Sequence, residues 1–550
     1  MTMRIYTFLS AAILLIVLSC DAQKKQADLI LSNAKIYTVD KEFSLAEAIA
    51  IKGKRIIAVG SSKEILKEFS SNEVLDLEGA YVYPGWIDAH CHFLGYGMNL
   101  SAVDVAGTSS VEEIIAMLKE HQKLNPGTWI TGRGWDQNDW EVKKFPNKSM
   151  LDKHFPDTPI LLRRIDGHAG WANSAALKIA GVTADSHVDG GTVMLSDGEP
   201  NGILIDNAIG LVGRKTPADT REELAHALIQ AQTNCFKVGL TSVQDAGLPK
   251  HAVELIDSMN KEGSLKIRIN AWLSPSEENF THFVEKGVYQ SDHLSVNTIK
   301  LFTDGALGSR GARMLDPYSD DPHNHGLFVT PLEELEKLCK RAYAFDYAVA
   351  THCIGDAANR ETLKIYAKIL EGPNDRRWRI EHAQIIHPDD FHYFGDYDIV
   401  PSVQTTHATS DMYWAGDRVG TERLKGAYAF KQLMEENGWI PNGSDFPVER
   451  INPLFGFYAA TIRKDQSGYP ADGFQMENAI SREDALRAMT IWAAKSGKEE
   501  HLKGSIEVGK LADLVVTTTD LMSAPDDALF GIKVKSTYSG GELVYEAGLE

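Results

Sequence analysis

Six residues of this 550-residue chain have the chemistry to gather around a metal ion: His90, His92, Lys300, His352, His382 and Asp445. The first two close an apolar run, Tyr83-Pro84-Gly85-Trp86-Ile87-Asp88-Ala89-His90-Cys91-His92. On a strand, residues i and i+2 face the same side, so both imidazoles can meet one ion while Cys91 points away. The other four also stand in or just after short apolar runs: Ile299-Lys300-Leu301-Phe302, Thr351-His352, Glu381-His382 and Gly443-Ser444-Asp445. Ionisable groups at strand ends must be paired or coordinated. Imidazole and carboxylate donors suit zinc, and manganese or iron would also fit.

The elements that must position them alternate strand and helix, the pattern of a parallel sheet with helical crossovers. Eight strands are expected: Val82 to Ala89, Leu240 to Ala246, Lys266 to Leu273, Asn297 to Phe302, Ala348 to His352, Trp378 to His382, Asp398 to Gln404 and Gly438 to Gly443. Helices are expected between them, among them Thr421 to Glu436. Eight such units predict an α/β (β/α)8 TIM barrel over 84–503, whose chemistry sits at the C-terminal strand ends. The first connection is far too long for a loop. Residues of about 100–238 are therefore expected to form an inserted subdomain over the barrel mouth. Its runs Gly132-Arg133-Gly134-Trp135-Asp136 and Arg164-Ile165-Asp166-Gly167-His168 suit a pocket wall. Strand-rich, glycine-punctuated segments at 21–83 and 504–550 predict a small β-sandwich built from both ends of the chain.

Bulk properties narrow the function. A formal net charge of -20 argues against a nucleic-acid backbone as partner. Arg4 followed by the apolar run Phe8 to Leu18 reads as a targeting segment too short to span a bilayer. Its end, Val17-Leu18-Ser19-Cys20, resembles a bacterial lipoprotein signal. Residues 1–20 are then a signal peptide, Cys20 the lipidation site, and the chain an exported, membrane-anchored protein of the bacterial cell envelope. Cys91, Cys235, Cys339 and Cys353 form no Cys-x-x-Cys pair and are expected as buried free thiols. A homodimer is compatible with these features and not specified by them.

Several runs together resemble one family. Pro84-Gly85-Trp86-Ile87-Asp88-Ala89-His90-Cys91-His92 is similar to the opening motif of the amidohydrolase superfamily. Lys300-Leu301-Phe302-Thr303-Asp304-Gly305-Ala306-Leu307-Gly308-Ser309-Arg310, His352-Cys353-Ile354-Gly355-Asp356-Ala357, Glu381-His382-Ala383-Gln384 and Gly443-Ser444-Asp445-Phe446-Pro447-Val448 resemble the YtcJ-type amidohydrolases of amidohydrolase family 3. That group contains N-substituted formamide deformylase, and the likeness spans about residues 28–545. It implies that His90, His92 and Asp445 hold one divalent metal, with zinc the expected ion, and that His352 and His382 hold a second. Lys300, carboxylated by carbon dioxide to a carbamate, would bridge the two. Asp445 would be the catalytic general acid/base for attack by metal-activated water on amides, formamides or N-acyl compounds.

The same likeness places His168, Asp304 and Arg310 near the substrate, and His407 follows the seventh strand, where it would face the site. A cyclic-amide or imide hydrolase, or a deaminase, would use the same metals. A lipid-anchored protein that merely binds a small ligand is the reading of another class, and a complete ligand set argues against it.

Overall fold

The computed structural model describes residues 24–124 and 129–548. The expected signal peptide and Cys20 lie outside them. Among the described residues no helix is long and apolar enough to cross a membrane.

Both ends of the chain supply a pair of sheets. One is ordered Arg55–Gly60, Ala48–Lys52, Leu29–Ser32, Glu73–Asp76. The other is ordered Glu542–Glu546, Val534–Ser539, Leu514–Thr517, Tyr81–Pro84, Lys35–Tyr37, Leu45–Ala46. Alternate apolar side chains, including Leu29, Leu31, Ile49, Ile51, Val82, Leu514 and Val516, are buried together between them.

The barrel sheet runs parallel and in chain order through Trp86–Cys91, Leu240–Leu248, Arg268–Leu273, Leu294–Phe302, Ala348–Cys353, Arg379–His382 and Val400–Ser402. Two expectations about its ends are corrected. The run Val82 to Ala89 is two strands, not one: Tyr81–Pro84 pairs with Leu514–Thr517 in the sandwich, and Trp86–Cys91 pairs with the next barrel strand. The break is at Gly85, where a Cβ would lie 2.2 Å from Thr241 Oγ1. Only glycine lets the chain turn there from sandwich to barrel.

The eighth strand, expected at Gly438 to Gly443, is reduced to a single parallel bridge between Val403 and Asn442. Pro441 has no N–H to donate to a ladder. Closure is nevertheless achieved: Val403 N donates to Pro441 O at 3.1 Å, Gly443 N to Val403 O at 3.0 Å, and Ala89 N to Asn442 O at 3.3 Å. The helix expected over Thr421 to Glu436 is likewise two pieces, Ala415–Leu424 and Phe430–Asn437.

Between the first two barrel strands lies a second sheet, ordered Val103–Asp104, Ile130–Trp135, Ile160–Arg164, Ala169–Ala172, Glu199–Asp206, Gly191–Ser196. It has its own core, with Trp135, Trp171 and Leu162 fully buried. The four cysteines at 91, 235, 339 and 353 are buried free thiols.

One buried ion pair ties barrel to sandwich. Arg268 donates from Nε to Asp513 Oδ2 at 2.7 Å and from Nη2 to Oδ1 at 2.9 Å. Removing one partner leaves an uncompensated buried charge. Asp513→Ala is therefore expected to cost about 3–5 kcal/mol, read as a lower urea midpoint. Lys54→Ala, which breaks the exposed pair with Asp292, should barely move it.

Candidate metal centre

The first barrel strand delivers His90 and His92 side by side, with ring centroids 5.9 Å apart. Asp445 arrives from the segment that closes the barrel, its backbone N donating to His90 O at 2.7 Å. The approach is close because Gly443 lacks a Cβ, which would sit 2.4 Å from His90 N. Asp88 secures the same junction: its carboxylate accepts from His90 N at 3.1 Å and from Ser444 Oγ at 2.6 Å. The Nε2 atoms of His90 and His92 lie 3.6 and 3.2 Å from Asp445 Oδ1.

Proton positions around this trio follow from its outer partners. His90 Nδ1 faces Glu381 Oε2 at 2.5 Å. Burial alone would raise the Glu381 carboxyl, but the Arg379 guanidinium and His90 bring it down to about 2, so it can only accept. His92 Nδ1 lies 3.2 Å from Ala246 O, which also only accepts. Each ring therefore carries its proton on Nδ1 and turns a lone pair on Nε2 inward. Burial pushes the imidazolium of His90 down to about 4, keeping it neutral. Asp445 is ionised: burial would raise it, yet His90 and His92 hold it well below the usual carboxylate range.

Three lone-pair donors thus face one another, all within 4.8 Å, with Asp445 Oδ1 buried and without a hydrogen-bond donor. That arrangement is repulsive unless a cation occupies it. The residues fit a divalent metal.

The remaining members stand alongside. Lys300 Nζ is 3.4 Å from His90 Nε2, and burial lowers its pKa to about 8. His382 packs between His90 and His352, at centroid distances of 5.1 and 4.6 Å. Its Nδ1 is buried with no hydrogen-bond partner. His352 Nε2 lies 3.3 Å from Gly305 O, leaving Nδ1 as its other ligand nitrogen. Burial depresses both imidazoles well below their ordinary value. His382 and Asp445 hold positive φ, 72° and 59°, a costly backbone state for residues other than glycine.

The second-tier residues divide. His168 reaches over from the inserted subdomain, 4.9 Å from the His352 ring, with Nδ1 2.6 Å from Asp206 Oδ1. Burial would lower its pKa, but Asp206 outweighs that and raises it. His407 lines the same cavity, stacked 5.8 Å from His382 with Nε2 free of partners. Asp304 accepts from Ile354 N, Gly355 N and Arg313 N at 3.0, 2.8 and 2.8 Å, and its Oδ1 also stands 3.6 Å from His352 Nε2. Arg310 pairs with Asp320 at 2.8 Å, and neither Asp304 nor Arg310 lines the cavities. Both hold loops in place.

Sequence reasoning missed Arg379 and Glu381, which share a strand face two residues apart. Arg379 Nη2 donates to Ala89 O at 2.7 Å and to Ser402 Oγ at 2.6 Å, tying three barrel strands under the trio. An arginine breaking the apolar run Trp378 to His382 was the available signal.

Two cavities meet at the cluster. One of about 210 Å³ includes His168, His352, His382, His407 and Asp445 in its wall. The other, about 410 Å³, includes His90, His92, Lys300 and Asp445.

Comparison with known proteins gives the following. A model of an amidohydrolase family matches residues 73–545. The chain is 36% identical to Protein LONG AFTER FAR-RED 3 of Arabidopsis thaliana, over 94% of this chain and 92% of that one. It is 30% identical to the amidohydrolase-type protein YtcJ of Bacillus subtilis (strain 168), over 93% and 98%. It is 27% identical to N-substituted formamide deformylase of Arthrobacter pascens, over 94% and 98%. An uncharacterized metal-dependent hydrolase from Pyrococcus horikoshii superposes with a TM-score of 0.75 at 28% identity, over 90% and 98% of the two chains.

Proposed function

The chain belongs to the amidohydrolase family, and from that premise we propose that it is a metal-dependent hydrolase of C–N bonds in amides, formamides or other N-acyl compounds. The observation that carries this reading is the buried trio of His90 Nε2, His92 Nε2 and Asp445 Oδ1 at the barrel mouth.

His90, His92 and Asp445 would hold one divalent ion, and His352 with His382 would hold a second; zinc suits this donor set. Bound there, such ions supply Lewis acidity, acidifying water and polarising a carbonyl. Lys300, once a carbamate, would supply an anionic oxygen ligand to the two ions. Its pKa of about 8 leaves a neutral fraction near neutrality, whose amine nitrogen bonds to the carbon of carbon dioxide and sheds a proton.

Asp445, whose Oδ1 faces both rings, can accept the proton of the attacking water at its other oxygen, Oδ2, and pass it to the departing nitrogen, which leaves as an amine. His168, kept protonated by Asp206, donates to the carbonyl oxygen as charge develops. The inserted subdomain supplies Asp136, Arg164, Asp166 and His168 to the wall of the cavity that contains His352, His382 and Asp445.

The test is hydrolysis of a panel of formamides, N-acyl amines and N-acyl amino acids by the zinc- or manganese-loaded chain. Turnover of at least one class, absent from His90→Ala, supports the reading; inertness toward the whole panel overturns it. Intact mass should show one carbon dioxide added, lost in Lys300→Ala. The apolar run ending at Cys20 supports export and lipid anchoring. Radiolabelled palmitate should enter the wild type and not Cys20→Ser.

A further inference from the structure

The larger cavity carries an unexplained charge. Besides the metal-ligand candidates, its wall includes Arg133 and Arg163, both from the inserted sheet. Among the described residues Arg133 makes one hydrogen bond, from Nη2 to Ile165 O at 2.5 Å, and its buried Nε has no acceptor. Among the described residues neither arginine has a carboxylate within 4.0 Å. The adjoining Arg164 differs: that guanidinium is buried between Asp136 and Asp166, with Asp166 Oδ2 at 2.5 Å, and its own charge is fully paired there. Burial lowers Arg133 to about 10 although the carboxylates of Asp445 and Asp166 pull it up, and Arg163 is exposed on its strand.

Two neighbouring guanidiniums, one half-buried and one exposed at the cavity rim, thus share a wall with Asp166 and Asp445 yet have no carboxylate within 4.0 Å among the described residues. They make sense as receptors. A guanidinium presents a planar fork that matches a carboxylate in two parallel hydrogen bonds. Their cavity is the one that reaches His90, His92 and Asp445, so a group bound to them stays attached to whatever reacts at the trio.

We propose that Arg133 and Arg163 form a carboxylate-binding subsite, and that the substrates are N-acyl compounds bearing a carboxylate, such as N-acyl amino acids. The assignment of substrate class rests on the hydrolase reading; the anion subsite itself does not.

The test separates the two. N-methanesulfonyl-leucine, its carboxamide and its phosphonate analogue lack a hydrolysable acyl group. Their binding to the metal-loaded full chain is measured by calorimetry. The carboxylate should bind about ten-fold or more tighter than the carboxamide. Arg163→Gln, whose side chain makes no hydrogen bond in the fold, and Arg133→Gln should each erase most of that preference, while Arg133→Lys keeps part of it. Equal binding of carboxylate and carboxamide, or an unchanged preference in both Gln variants, overturns the subsite. Tighter binding of the phosphonate overturns the carboxylate assignment. In turnover, N-acetyl-leucine should exceed N-acetyl-leucinamide in kcat/KM through KM, and Arg163→Gln should shrink that difference by raising KM for the carboxylate. A carboxylate preference in binding without turnover of any amide would sink the hydrolase reading and leave the anion subsite standing.

Discussion

Asp445→Asn is expected to lower kcat by about a thousand-fold while leaving the fold intact. The substitution keeps the shape of the side chain and removes both its charge and its ability to accept a proton. Asn tolerates the left-handed backbone at this position, where φ is 59°. The backbone hydrogen bond from residue 445 to His90 O, at 2.7 Å, is unaffected. The variant should therefore match the wild type in circular dichroism and thermal midpoint while losing turnover and part of its metal. The amide would also present either an N–H₂ or a carbonyl oxygen to the Nε2 atoms of His90 and His92, a poorer charge match for a cation. Activity within ten-fold of wild type would show that Asp445 neither holds metal nor moves the proton.

Glu381→Gln is the second large effect, and it acts through other residues. Glu381 sits beneath His90 with Oε2 2.5 Å from Nδ1, and Arg379 Nε lies 2.7 Å from its other oxygen. That second contact is a charge pair rather than an aligned hydrogen bond, since neither atom meets hydrogen-bond geometry. Neutralising Glu381 leaves Arg379 buried and unpaired, at an expected cost of about 3–5 kcal/mol. It also removes the acceptor that fixes the His90 tautomer, so metal affinity should fall by about 10–100-fold.

The double variant Arg379→Met/Glu381→Gln separates the two effects. Stability should recover toward wild type, because the stranded charge is gone, while metal affinity should stay low. The acid limb offers a further check. Glu381 has its pKa lowered from 4.5 to about 2 on folding, so its contribution is fully present above pH 4.5 and is lost as pH falls toward 2. Glu381→Gln should lack that portion of the acid-induced loss of stability.

The metal-ligand candidates were legible because their chemistry interrupts apolar strands: a histidine, lysine or aspartate at a strand end stands out against valine and isoleucine. The positioning residues were not, because their partners are distant in the chain. Glu381 meets His90 across 291 residues, and Asp88 meets Ser444 across 356. Asp304 and Arg310 read as substrate groups because they stand in a glycine-rich loop after the fourth strand. Asp304 instead meets backbone amides and the ring of His352, and Arg310 meets Asp320, which no local pattern announces. The break at Gly85 was hidden because both flanks are apolar, one for the sandwich and one for the barrel. The eighth strand was misjudged by weighing the apolar residues of Gly438 to Gly443 above Pro441, which cannot join a ladder. The inserted runs around Arg133 and His168 were visible as pocket material, but their charges gained meaning only beside Arg164, which is neutralised, and Arg163, which is not.

The central claim is that a divalent metal held by His90, His92 and Asp445 makes this chain a C–N hydrolase. It is tested most directly by stripping the full chain of metal and titrating zinc back while following hydrolysis of the N-acyl panel and bound metal together. The expected result is activity that starts at background, rises with the metal bound, and saturates when the sites fill, with no rise in His92→Ala. Activity independent of metal, or a fully loaded wild-type chain that hydrolyses nothing in the panel, would contradict it.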